Sequence, residues 1–595
     1  VKAKPEMHKK TFLKDFHRDA QFCSTCHKVS LPKEVTQYKD FLRGQNHYDP
    51  FLLSGVSGHG ARSFYYPPQA KESCNACHMP LKQSNDSGAH YNDDSGTLTV
   101  HDHLFPAANT GIAWLIDRPD VIAAHQQYLK DITRVDIFGV KEGGTIDGIL
   151  HAPLRPTVPT LTPGKSYLIE SVIRTLKLGH IFTQGTADSN EVWLDVTVTS
   201  NDKIIGRSGG IDATAGNEVD RWAHFVNIFM LDRDGNRINR RNPQDIFVPL
   251  YNHQIPPGAA WTVHYGLDLP SDLTAPVTVT VKLQYRKFDA EYLRFVAAHA
   301  RPGDDPLRGN LFGVPYVNEL PITTLAEDQV TFAVEGVADA PQQSDRNIPV
   351  WERWNDYGIG LLLKGKAELR QAEDAFAEIE KLGRYDGSLN LARVYFEEGR
   401  VDEAATALTR AAEYRDPAAP PWTMAWMSGQ VNQQQGRLEE AEANFRKVLE
   451  DQTQEMQMRG FDFSFDYEVR NLLGLTLHDR ASQFRGKAMA EQRTYFLEEA
   501  ARQFEKTLQI DSENVAAHYN LQLIYGQLEN PERANEHRQL HERYKLDDNA
   551  ADRAVALARK KYPAANHAAE ALVIYPLRRP GAPELFIDPN LTLSQ

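Results

Sequence analysis

Cysteine is nearly absent: the 595 residues contain four, and the chain beyond residue 77 has none. That excludes a disulfide framework, which would need cysteines spread over the segments it staples. Long apolar runs are missing as well, since no stretch approaches the ~18 residues that a membrane-spanning helix needs. There is no excess of positive charge. Lys and Arg number 66 against 80 Asp and Glu, a net of −14, which argues against a general nucleic-acid binder because phosphate affinity comes mainly from Lys and Arg. What remains, 41% hydrophobic and 25% charged, is an ordinary globular composition. At ~100 to 200 residues per domain it allows about three to five domains.

The four cysteines fall into two identical frames, Cys23-Ser24-Thr25-Cys26-His27 and Cys74-Asn75-Ala76-Cys77-His78. At this Cys and His content one such frame arises by chance with a probability of ~10⁻³, so two together are on the order of 10⁻⁶. Cys-x-x-Cys-His is the pattern of covalent c-type haem attachment: the thiols add to the two vinyl groups and the adjacent His is the proximal iron ligand. Cys23, Cys26, Cys74 and Cys77 are therefore the expected attachment residues for two haem c groups, with His27 and His78 as proximal ligands. A redox Cys-x-x-Cys or a zinc site fits less well, because in both frames the His directly follows the second Cys.

Histidine is concentrated around these frames. Residues 1–112 hold nine of the 21 His. Apart from the proximal pair, His8, His17, His47, His59, His90, His101 and His103 compete for at most two distal positions, so most of them are expected to be solvated or to face propionates. Only Met7 and Met79 offer sulfur in this segment, and Met79, next to His78, is too constrained to reach back across its own haem. Bis-His ligation is the expectation.

The stretches 22–28, Gly44-Gln45-Asn46-His47-Tyr48-Asp49, Ser57-Gly58-His59-Gly60-Ala61 and His101-Asp102-His103-Leu104-Phe105-Pro106-Ala107-Ala108-Asn109-Thr110 resemble the multihaem c-type cytochromes of the hydroxylamine-oxidoreductase and tetrahaem cytochrome c-like group. In that group a His shortly before a Phe-Pro-Gly-Ala-Asn-like turn commonly serves as a distal ligand, which by position implies His103; Ala107 stands where the group often has Gly. The resemblance also points to His59 in its Ser-x-His pattern, to His47, and to His8, which resembles a ligand placed ahead of a Cys-x-x-Cys-His. It covers about the first 110 residues. A surplus of His suits haems carried elsewhere, and the chain starts at Val1, 22 residues before Cys23, as a processed or partial chain would. Further haem motifs are accordingly expected upstream or on a partner.

Bis-His iron is low-spin and has no open coordination position, so it suits electron transfer. The expected function is electron transfer by a multihaem c-type cytochrome with redox proteins as partners. Its location is periplasmic or otherwise extracytoplasmic, the compartment that covalent haem attachment implies. The competing reading is a multihaem oxidoreductase converting nitrogen compounds or peroxide at one open haem; a scaffold with structural haem comes third. No catalytic residue is identifiable. The haem segment carries 13 Lys and Arg against 11 Asp and Glu, so the negative charge lies in the rest of the chain. Tyr48, Phe64, Tyr65 and Tyr66 are expected against porphyrin faces. The acidic runs Asn85 to Gly88 and Asn92 to Gly96 lack an EF-hand frame and read as turns.

From 113 to 135 the apolar spacing of Ile112, Trp114, Leu115, Val121, Ile122, Tyr128 and Leu129 predicts short helices. The period then becomes two. Segments 166–176, 191–199, 225–231, 260–267 and 277–285 alternate apolar and polar residues between turn signals such as Pro163-Gly164 and Asp234-Gly235-Asn236, which predicts an all-β sandwich. Within it, Leu178 to Gly185 resembles a Gly-His-x-x-Pro-x-Gly segment of β-domains attached to multihaem cytochromes. Thr183 replaces the Pro, and a structural role for His180 is the preferred reading. No nucleophile elbow, phosphate loop or HExxH frame occurs in this region.

From 354 onward the pattern is helical and self-similar. Leu391-Ala392, Gly399, Ala404 and Leu408 recur as Ser428-Gly429, Gly436, Ala441 and Phe445, and Gly365 precedes Gly399 by 34 residues. These spacings match tetratricopeptide repeats (TPRs), helix pairs packed through a small residue against a bulky one. A further unit around Gly474, Ala500 and Phe504 contains an insertion, and another runs from Ala517 to Ala534. About five pairs are expected, with a degenerate cap after 545. The predicted organisation is a mostly α and irregular haem module at 1–112, a helical connector at 113–149, a β-sandwich at 150–340, TPR-like repeats at 350–575 for protein contacts, and an extended Pro-rich tail at 576–595.

Overall fold

The computed structural model describes residues 4–12, 14–39, 43–184, 189–301, 307–310, 314–337 and 339–585. Its contacts divide the chain into two units, each assembled from separate stretches: 1–107, 178–185 and 420–547 in one, and 108–177, 186–419 and 548–595 in the other. This partition crosses the boundaries that the sequence suggests, because it depends on long-range packing that no local pattern reports.

The second unit is rich in β-sheet. One sheet has five strands in the order Ile574–Pro576, Ala260–Asp268, Ser166–Thr175, Thr133–Glu142 and Leu150–His151. All neighbours are antiparallel except the edge strand Ile574–Pro576, which runs parallel with Ile574 opposite His264. A second antiparallel sheet has the order Lys203–Ser208, Glu191–Ser200, Val277–Arg286, Thr323–Phe332. Its core is a set of cross-strand pairs on one face, Val279 with Val198, Val281 with Val196 and Leu283 with Leu194, all fully buried. The segments read as strands are strands, the one at 225–231 only from Ile228.

Two expectations change in this unit. The stretch 113–149 is helical only in Thr110–Leu115 and Pro119–Tyr128; Thr133–Glu142 is a strand, because Val135 and Ile137 alternate with Arg134 and Asp136 and are buried in the sheet. The tail is partly sheet, since Ile574–Pro576 pairs with the Ala260–Asp268 strand and Leu577 O accepts the Arg207 N–H at 2.7 Å. The rest of the expected tail, from 586, lies outside the described residues.

A buried ion network joins the two sheets to the first repeat helix. Asp328 receives both Arg155 Nη1 (2.7 Å) and Nη2 (2.6 Å), Arg346 Nη1 (2.5 Å) and the Ile137 N–H (2.7 Å). Asp136 receives Arg353 Nε at 2.7 Å and Nη2 at 3.0 Å.

Five helix pairs follow the expected repeats. Val350–Leu362 with Leu369–Lys381, and Tyr385–Glu397 with Val401–Glu413, belong to the β-rich unit. Pro421–Gln434 with Leu438–Glu450, Tyr467–Gln483 with Ala490–Ile510, and Val515–Gln527 with Pro531–Tyr544 belong to the other. The insertion read between Gly474 and Ala500 appears as longer helices, of 17 and 21 residues, joined through a turn at Lys487–Met489. The small-to-large notch is physical: a β-carbon at Gly358, Gly429 or Gly474 would lie 2.6, 2.6 or 2.8 Å from the ring of Phe376, Phe445 or Phe504. Gly429→Val is therefore expected to destabilise its pair by about 1–3 kcal/mol through overpacking, even though Gly is a poor helix former. A lowered urea midpoint checks this.

Beyond the repeats, Ala558 and Ala565 of the helices Asp548–Lys561 and Pro563–Ala568 pack on Phe229, Leu231 and Leu250. In the first unit the N-terminal segment consists of short helices and small ladders. Its core residues Ala20, Tyr48, Phe51 and Leu52 meet Tyr467, with Cys74 and Ile510 alongside. The Ala61 N–H donates to Asp466 at 2.9 Å, and Lys28 Nζ bridges Asp49 (2.9 Å) and Asp511 (2.8 Å). Tyr66, expected at a porphyrin, lies among Trp422, Phe461 and Phe463. Among the described residues no helix is long and apolar enough to cross a membrane.

Candidate functional site: two thiol frames and a histidine cluster

The first frame occupies the helix Ala20–His27, whose N-cap Asp19 accepts the Gln21 N–H at 2.8 Å. Helical spacing puts Cys23, Cys26 and His27 on one face, because residues three and four apart are neighbours there. The second frame forms a single turn, Asn75–His78, closed by the His78 N–H donating to Cys74 O at 2.9 Å. All four cysteines are free thiols, and Cys74 lies beside Cys23. Burial pushes the Cys74 and Cys77 thiols up, and the neighbouring Cys23 adds to the effect at Cys74, so both stay protonated at neutral pH.

Two further histidines join His27 and His78. His47 is placed by a two-stranded ladder in which Lys28 opposes Asn46, and its own N–H donates to His27 O at 2.8 Å. The His27 and His47 rings are 5.1 Å apart. His180 arrives from the segment 178–184: Ser54 Oγ donates to Gly179 O at 3.3 Å and the Gln184 side-chain amide to Asn46 O at 3.0 Å. Its ring is 5.9 Å from His47 and 6.1 Å from His78, parallel to the latter within 8°. The order is His27, His47, His180, His78.

A proton on His47, His180 or His78 is poorly solvated and repelled by its neighbours. Burial first, then His180 and His27, hold His47 down at about 3. Burial, with His78 and His27, holds His180 at about 4, and burial also lowers His78. These three are neutral imidazoles at pH 7, the form that ligates metals. His47 Nδ1 is buried with no hydrogen-bond partner among the described residues. His78 Nδ1 lies 3.0 Å from Pro106 O, so the N–H sits on Nδ1 and Nε2 keeps its lone pair. Among the described residues no three His, Cys, Asp or Glu converge to hold a metal ion directly; the four rings meet through faces and edges.

The other candidates lie elsewhere. His59 Nδ1 is 2.7 Å from Asp462 O, and its ring rests on Phe465. His103 is exposed, with Phe105 6.1 Å away. His101 Nδ1 contacts Met79 O at 2.7 Å, and His17 O accepts the Asn75 side-chain amide at 3.4 Å, so both border the second frame. His90 is exposed on a two-residue strand. His8 is on the helix Pro5–Phe12, and its side chain lies outside the described residues. Of the histidines expected as distal ligands, His47 thus stands with His27 and His78, and the fourth ring is His180. The signal for His180 was the Gly179-His180 segment, which reads as structural until the fold brings it to His78.

A family profile for the tetratricopeptide repeat matches residues 357–420 and 389–456. The C-terminal region therefore contains TPRs. Among solved structures the chain is similar to MamA (AMB-1), at 19% identity over 32% of this chain and 90% of that one with a TM-score of 0.24. It is also similar to YrrB, described as a TPR protein with an unusual peptide-binding site, at 18% identity over 36% of this chain and 90% of that one, TM-score 0.24. No curated protein matches the chain.

Proposed function

We propose that the chain is a c-type cytochrome that transfers electrons through two bis-histidine haem c groups outside the cytoplasm, with its TPRs contacting redox partner proteins. Cys23 and Cys26 with His27, and Cys74 and Cys77 with His78, hold the two groups. When bound, they supply reversible one-electron iron chemistry. The residues fit this cofactor: each frame offers two free thiols and an imidazole, and addition of S–H across a vinyl group conserves every atom and needs no oxidant.

The observation that carries the reading is the meeting of His27, His47, His180 and His78, four imidazoles for two irons. His47 and His180 would supply the second imidazole for each group, and iron held by two imidazoles would offer no place for a substrate, which favours electron transfer over conversion of nitrogen compounds or peroxide. TPR stacks present extended surfaces that bind protein segments, which suits delivery of electrons to or from a partner.

Expression with a cytochrome c maturation system is expected to yield two haems per chain that survive acid–acetone extraction, low-spin EPR signals in the oxidised protein, and no spectral change with CO. Haem-stained material is expected in the extracytoplasmic fraction. Absence of covalent haem would sink the proposal, and a high-spin, CO-binding iron in the unsubstituted protein would favour the oxidoreductase.

A further inference from the structure

A cavity of about 280 Å³ opens in the β-rich unit, walled by His224, Tyr251, His253, Trp261, Lys364 and Tyr575. None of these residues belongs to the haem-attachment frames or the histidine cluster. One side is an aromatic ladder: Tyr251 stacks on His253 at 4.4 Å, His253 on His224 at 5.0 Å, and Trp261 lies 5.4 Å from His253.

The hydrogen-bond inventory leaves a donor over. The Tyr575 hydroxyl is 3.1 Å from His224 Nδ1. Donation from the hydroxyl to Nδ1 satisfies both atoms and places the ring N–H on Nε2. His224 is 1% exposed, and its Nε2 has no partner among the described residues. Buried donors are almost always matched, so this one calls for an acceptor in the cavity.

Charge points the same way. Lys364 Nζ, 10% exposed, sits 3.1 Å from Glu368 and 2.8 Å from His264 Nε2. His264 in turn holds a carboxylate at each nitrogen, Glu170 at 2.6 Å and Glu368 at 2.8 Å, and Lys141 holds Glu170 at 2.8 Å. An imidazole donating to two carboxylates is the cation, so three cations face two carboxylates. The surplus falls where Lys364 and His264 approach each other, and Lys364 is the member that lines the cavity. An anion there relieves the contact. The acidic residue of the rim, Glu570, is exposed, 3.9 Å from His567.

We propose that this cavity binds a small molecule bearing a carboxylate on a flat apolar body, with Lys364 and the His224 Nε2–H engaging the carboxylate and Trp261 and Tyr251 covering the body. Its volume is at the small end for ligand sites, so the ligand is about the size of a single substituted ring.

Calorimetric titration of the full chain with benzoate, and with benzyl alcohol as the uncharged counterpart, tests this. Benzoate is expected to saturate one site per chain and to bind roughly tenfold or more tightly than benzyl alcohol, the usual effect of charge-assisted hydrogen bonds. His224→Leu breaks no ion pair and is the decisive variant; it is expected to weaken benzoate by a similar factor in a chain that still folds, with a melting temperature lowered by the loss of the acceptor for the Tyr575 hydroxyl. Lys364→Met is expected to do the same wherever it folds. Equal binding of the two probes, an unaffected His224→Leu, or no saturable heat would overturn the proposal.

Discussion

With two haems held as proposed, replacing His180 by alanine is expected to convert one of the two irons from low-spin to high-spin and to open it to CO, removing about half of the low-spin EPR intensity. His47→Ala is expected to do the same to the other iron. The expectation follows from the cluster: His180 stands between His47 and His78 at 5.9 and 6.1 Å, and His47 stands 5.1 Å from His27. Haem content stays at two per chain in both variants, since the thiols are untouched. Cys74→Ala with Cys77→Ala instead removes one covalently attached haem. His103→Ala and His59→Ala serve as controls and are expected to leave both irons low-spin, because His103 is exposed and His59 is engaged with Asp462 O at 2.7 Å. Two irons that remain low-spin in His180→Ala, or a high-spin iron in His103→Ala, would return the distal position to the residue implied by the family resemblance.

Asp328→Ala is expected to cost about 3–5 kcal/mol, enough to unfold the β-rich unit at modest denaturant. The carboxylate is buried and accepts two hydrogen bonds from Arg155, at 2.7 and 2.6 Å, one from Arg346 at 2.5 Å and one from the Ile137 N–H at 2.7 Å. Removing it leaves one buried guanidinium without its main partner and a strand N–H without an acceptor. Asp136 compensates only in part: it holds Arg155 Nη2 by a long 3.3 Å contact and is engaged mainly by Arg353, at 2.7 and 3.0 Å. The contrast is Arg118 with Asp120, a 2.6 Å pair that is exposed on both sides, where Asp120→Ala is expected to leave the denaturation midpoint unchanged. Tryptophan fluorescence against guanidinium concentration checks both; equal midpoints for Asp328→Ala and the unsubstituted chain would refute the network's role.

Much of the architecture was legible locally. Alternation in 166–176, 191–199, 260–267 and 277–285 marks strands because successive side chains point to opposite faces of a sheet, and the recurrence of Gly, Ala and Phe in the repeats marks helix pairs because a bulky ring needs a small neighbour. The strand Thr133–Glu142 carries the same alternation but follows two true helices without a strong turn signal, so it reads as their continuation. Ile574–Pro576 is too short to announce itself, and becomes a strand only because Ala260–Asp268 offers it an edge.

The sequence by itself determined the two thiol frames on which the proposed haem attachment rests. Two thiols and an imidazole stand within five residues whatever the rest of the chain does, so Cys23, Cys26 and His27, and Cys74, Cys77 and His78, needed no fold to be singled out. The tertiary structure alone decided which imidazoles stand with them. His180 lies more than a hundred residues beyond His78, and only the packing of 178–184 on Ser54 and Asn46 brings it there. It likewise decided that repeats adjacent in sequence belong to different units. Local periodicity reports which face of an element is buried, and partner choice is set by long-range packing, which leaves no local signature.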